Sequence, residues 1–111
     1  MELLVYIMNP VELLDDLLEE FSKEPRFRAT IIDSTGMAHM LKDTSYFLNL
    51  RNLLNQSQVN SKTILMAIDK DDVDNAIEII ESVVGSLESP DTGVVFTLPI
   101  LHAKGLIKKI D

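Results

Sequence analysis

Thr63-Ile64-Leu65-Met66-Ala67-Ile68-Asp69-Lys70-Asp71-Asp72-Val73-Asp74-Asn75-Ala76-Ile77-Glu78-Ile79-Ile80-Glu81-Ser82-Val83-Val84-Gly85 changes its hydrophobic period part-way along, and that change decides the fold class. Residues 63 to 68 form a short apolar run, the composition of a buried strand. The acidic cluster Asp69 to Asp74 follows, and out of it Val73, Ala76, Ile77, Ile80 and Val84 recur at helical spacing. Acids in the first turn suit the positive end of the helix dipole, and Gly85 supplies a C-terminal stop. The stretch therefore predicts a strand feeding a helix.

The N-terminal half repeats that order. Residues 2 to 8 are an almost unbroken apolar run that reads as a first strand. Asn9 is placed to cap a helix, Pro10 suits its first position and Glu12 falls three residues after the cap. Leu14, Leu17, Leu18 and Phe21 then make the apolar stripe, and Pro25 sets the limit of the helix. Residues 26 to 33 have the β-branched content of a second strand, broken at Ser34-Thr35-Gly36. Val94 to Leu98 form a fourth strand ending at Pro99. Two strand-helix-strand units in series predict an α+β, ferredoxin-like βαββαβ fold, an antiparallel sheet with two helices on one face.

At 111 residues and 12.5 kDa the chain has room for one domain, residues 1 to 111. With 46% hydrophobic and 25% charged residues it is neither wholly disordered nor fibrous. The absence of cysteine excludes disulfides, thiolate metal sites and cysteine nucleophiles. The apolar opening is cut at Asn9-Pro10, too short for a signal peptide or a membrane span, so a cytoplasmic location without membrane insertion is expected.

Two helices can cover one face of the sheet, yet strands 1, 3 and 4 are apolar at nearly every position. An uncovered apolar face of that size predicts burial against other copies of the chain in a closed homo-oligomer. Between strands 2 and 3, residues 42 to 62 form a connection long enough to suggest a functional loop. Its amides lie among Tyr46, Phe47, Leu50 and Leu53, candidates for contact with a partner protein.

The net charge of -8 disfavours nonspecific binding to nucleic acid. Its distribution is uneven. Residues 9 to 24 and 69 to 91 hold 14 of the 18 acids but only Lys23 and Lys70 among the bases. The rest of the chain is net positive, so a small anion can be attracted to strand 2, the loop or the tail.

No catalytic constellation is evident. Asp91-Thr92-Gly93 matches the aspartic-protease triplet, but Ser89-Pro90 stands where that motif needs an apolar strand, and a turn is the expected reading. His39 and His102 stand apart and belong to no metal-ligand spacing.

The order Phe27-Arg28-Ala29-Thr30, Ser34-Thr35-Gly36, the long loop and Thr92-Gly93-Val94-Val95-Phe96-Thr97-Leu98-Pro99 resembles the PII-like signalling proteins, relatives of nitrogen regulatory protein PII, along essentially the whole chain. Phe27 to Met37 looks most like the PII-like cyclic-di-AMP receptors. The resemblance implies a homotrimeric signal-transduction protein without enzymatic activity or cofactor. It implies a small anionic ligand, an adenine nucleotide or a cyclic dinucleotide, bound between subunits. It also implies a target protein regulated through residues 42 to 62, the T-loop equivalent. By position, Arg28, Thr30, Gly36, Met37, Ala38 and Gly93 would line the ligand cleft. Two other readings are a trimeric interaction module without a small-molecule ligand and a CutA-like metal-binding trimer.

Overall fold

Strand β1 (Glu2–Met8) pairs antiparallel on both sides, with β3 (Ser61–Ile68) through Val5↔Leu65 and with β4 (Val94–Pro99) through Val5↔Phe96. Strand β2 (Thr30–Ser34) adds to the far side of β3 through Thr30↔Leu65, giving the order β2-β3-β1-β4. Helices α1 (Leu14–Ser22) and α2 (Val73–Val84) follow β1 and β3. The computed structural model describes residues 1–37 and 61–106. These form an α+β unit of four antiparallel strands and two helices, compatible with a ferredoxin-like fold.

The core lies between the helices and one face of the sheet. Even-numbered Leu4, Tyr6 and Met8 of β1 and Ile64, Met66 and Ile68 of β3 share that face, as strand alternation requires. Leu17 and Phe21 of α1 and Ala76 and Ile80 of α2 close over them. Tyr6 is fully buried, and its hydroxyl donates to the Thr92 carbonyl at 2.6 Å, tying the turn before β4 to the central strand. Burial pushes the Tyr6 phenol up to about 12.

The first helix begins differently from the expectation drawn from Asn9 and Glu12. The Asn9 side chain caps nothing; a one-turn 3-10 helix, Val11–Leu13, leads into α1. Main-chain carbonyls accept instead, with Val11 N–H donating to Asn9 O at 2.8 Å and Leu13 N–H to Pro10 O at 2.9 Å. A second such turn, Lys70–Asp72, leads into α2, where Asp72 N–H donates to Asp69 O at 2.9 Å. Asp74 occupies the first turn of α2 as the acidic cluster led one to expect, Asp15 and Asp16 stand in the first turn of α1, and Gly85 ends α2 at φ 90°.

Two strand boundaries also move. The second strand was expected over residues 26 to 33 but pairs only from Thr30. Phe27 is buried edge-on against Phe21, with ring centroids 5.5 Å apart. Arg26 lies over the Phe27 ring and binds Glu24 at 2.8 Å and Asp72 at 3.3 Å. The side chains of residues 26 and 27 thus hold the entry to the sheet against α1 and α2. At the other end, Ser61 and Lys62 were assigned to the connecting loop but extend β3. They do so because Ser34 Oγ and Ser61 Oγ share a hydrogen bond, Thr63 Oγ1 donates to Ser34 Oγ, and Lys62 pairs with Asp33.

The other sheet face carries Leu3, Val5 and Ile7 of β1, Leu65 and Ala67 of β3 and Val94, Phe96 and Leu98 of β4. Among the described residues no helix packs on it, and Val94, Phe96 and Leu98 are 51%, 44% and 45% exposed. This is the apolar second face expected from the strand composition.

Tyr6→Phe leaves the Thr92 carbonyl without its donor and should cost about 1–3 kcal/mol in denaturant unfolding. The pH dependence follows from the raised phenol. An unfolded tyrosine loses its proton near the ordinary 10.0, whereas folded Tyr6 keeps it to about 12, so stability is lost as pH rises between them. Melts across pH 9 to 12.5 should show a steeper decline for the wild type than for Tyr6→Phe.

Candidate ligand cleft

The strand register brings the start of β1 beside the end of β3, and the approach to β2 runs past both. A cleft of about 610 Å³ opens there, within the size range of small-molecule sites. Leu3, Leu65 and Ala67 give it an apolar wall from the uncovered sheet face. Arg26, Arg28 and Thr30 enter from the chain leading into β2, Asp69 and Asp72 from the turn before α2, and Gly105 and Leu106 from the tail after β4.

The two arginines are in different states. Arg26 is held by Glu24 and Asp72 and by the Phe27 ring. Arg28 is exposed and makes no ion pair among the described residues. Its guanidinium is therefore the cation available to an anion, and the planar fork suits phosphate or carboxylate. Asp69 stands at the N-terminal position of the 3-10 turn, yet its side chain makes no capping bond.

The structure unites only part of the residue set inferred from the sequence. Arg28 and Thr30 share the cleft. Gly36 and Met37 lie past the opposite end of β2, a strand that spans roughly 13 Å from Thr30 to Ser34. Gly93 lies at the start of β4, across the sheet from β2, beside a smaller hollow of about 330 Å³ under the end of α2. One copy of the chain cannot wrap all of them around one small molecule. Ala38, Tyr46, Phe47, Leu50 and Leu53 lie outside the described residues. The sequence reading missed Asp69, Asp72 and the Leu3, Leu65 and Ala67 wall as parts of the cleft. Strand alternation was the signal that could have placed the last three together.

Glycine has different grounds at positions 93 and 36. Gly93 adopts φ 106°, and a Cβ there would stand 2.1 Å from the Ile7 carbonyl oxygen and 2.9 Å from the Tyr6 ring. The fold itself needs that glycine. At Gly36 the backbone is not left-handed, and among the described residues a Cβ would meet nothing within 4 Å. The described residues give no steric reason for a glycine there.

Asp91 adopts φ 65°, and Thr92 Oγ1 donates to Ser89 O at 2.9 Å, which makes Asp91-Thr92-Gly93 the turn expected from its context. Among the described residues no group of three His, Asp or Glu side chains is placed to hold a metal ion. Among the same residues no helix is long and apolar enough to cross a membrane.

No known family's sequence profile matches the chain, and no curated protein matches it. Its fold is similar to the crystal structure of a functionally unknown protein from Pediococcus pentosaceus, with a TM-score of 0.62 over 93% of this chain and 94% of that one. The two are 18% identical, so the likeness is one of fold.

Gly93→Ala should destabilise the protein by about 3 kcal/mol, combining a left-handed backbone with a main-chain clash. Gly36→Ala should change stability by less than about 0.5 kcal/mol, like other open surface positions. Urea unfolding of the two variants checks both.

Proposed function

We propose that the protein is a trimeric, PII-like regulatory protein of the cytoplasm. In this reading it binds a small anionic, adenine-containing ligand and reports its presence to a target protein through residues 42 to 62, without catalysing a reaction. The observation that carries the reading is the cleft in which exposed Arg28 and Thr30 stand beside an apolar wall. A cation able to take a phosphate next to a surface able to take a flat ring suits a nucleotide-like molecule.

Further support comes from the separation of the inferred residues. Gly36 and Gly93 lie far from Arg28 within one copy, so the set can act together only if different copies contribute different parts. The exposed Val94, Phe96 and Leu98 row offers the apolar surface for such an assembly. Occupancy of the cleft would shift the loop only if the ligand distinguishes the loop's conformations.

The test is a thermal-shift screen with AMP, ATP, cyclic AMP, cyclic-di-AMP and citrate, run on the wild type and on Arg28→Gln. A ligand at about 100 times its dissociation constant stabilises by roughly 2.7 kcal/mol, a rise of several degrees for a domain of this size. At least one nucleotide should give such a rise in the wild type and none in the variant. Arg28→Gln should keep the ligand-free melting temperature, because Arg28 makes no ion pair with any described residue. Absence of any shift, or an equal shift in the variant, contradicts the reading.

A further inference from the structure

Among the described residues, the carboxylate of Asp69 and the guanidinium of Arg28 in the cleft make no ion pair. Of the four charged side chains lining it, Arg26 and Asp72 bind each other at 3.3 Å. Arg28 and Asp69 remain without an ion pair among the described residues. An anion held by Arg28 is therefore placed in the same cleft as a carboxylate that repels additional negative charge. Each further phosphate would meet Asp69 with no described side-chain cation left in the cleft to offset it.

That same carboxylate is an acceptor only, with lone pairs that an N–H donor on the ligand can fill. We infer that Asp69 sets the specificity of the cleft: it selects a ligand with one anionic group for Arg28 and an N–H donor for Asp69, and it discriminates against polyphosphates. This rests on the proposed ligand-binding role of the cleft and adds to it the charge and donor pattern of the ligand. Specificity here comes as much from the repulsive group as from the attractive one.

Among nucleotides the pattern fits a monophosphate whose base carries an exocyclic amine. AMP presents that amine, while IMP presents at the same ring position a carbonyl oxygen, which a carboxylate repels, and keeps an N–H donor only on the neighbouring ring nitrogen. Polyphosphate length and base identity can therefore be varied separately.

Calorimetric titration of AMP, ADP, ATP and IMP into the wild type, Asp69→Asn and Arg28→Gln tests the inference. In the wild type AMP should bind at least tenfold more tightly than either ATP or IMP. Asp69→Asn removes the charge while keeping size, and the amide supplies both a donor and an acceptor. Both preferences should then shrink to within about threefold, with ATP and IMP gaining affinity. Arg28→Gln should weaken all four ligands, which separates the anion contact from the selectivity. If ATP binds the wild type as tightly as AMP, or if the ratios are unchanged in Asp69→Asn, the assignment of Asp69 is overturned while the ligand cleft stands. If the folded wild type binds none of the four, and cyclic-di-AMP and citrate also fail, the cleft reading and the inference fall together.

Discussion

A four-stranded sheet has two faces to keep from water, and the two helices of the described residues serve one of them. The buried face is closed by Leu17 and Phe21 of α1 and by Ala76 and Ile80 of α2. The opposite face keeps Val94, Phe96 and Leu98 half exposed, in register with Ile7, Val5 and Leu3 of the central strand. A face of this kind is costly for an isolated molecule and productive for an assembly. The proposal of a multi-subunit protein, with a ligand site completed by neighbouring copies, grows from that imbalance.

The site follows from the same sheet. Its cleft forms where the start of β1 and the end of β3 leave an apolar wall beside the approach to β2. Charged groups arrive from two turns that the fold needs anyway, the one before β2 and the one before α2. Part of that charge is spent on structure: Arg26 ties the two turns together through Glu24 and Asp72. Among the described side chains of the cleft, the guanidinium of Arg28 and the carboxylate of Asp69 remain without an ion pair. A cleft with one of each is better matched to a ligand carrying opposite features than to a highly charged anion.

The strand and helix order was legible from the sequence because the period changes are sharp, as at Ile68 to Val73, where an apolar run gives way to a helical stripe. The exposed apolar face was legible too, since strands 1, 3 and 4 lack the polar alternation of a solvated sheet. The start of β2 was not, because Phe27 looks like a strand residue until Phe21 is seen packed against it. Nor was the entry to α1, where main-chain carbonyls of Asn9 and Pro10 take the bonds that local patterning assigned to a side-chain cap. Leu3, Arg28, Leu65 and Asp69 are distant in sequence and meet only through the register, so sequence separation hides the cleft. Gly93, placed in the ligand cleft by the resemblance, is also required by the Ile7 carbonyl and the Tyr6 ring.

The central claim is that copies of the chain cover the open sheet face. Sedimentation equilibrium of the wild-type protein over a hundredfold concentration range tests it most directly. The account predicts a single species of three times the 12.5 kDa chain mass down to micromolar concentration. A monomer of 12.5 kDa that persists across that range would contradict it.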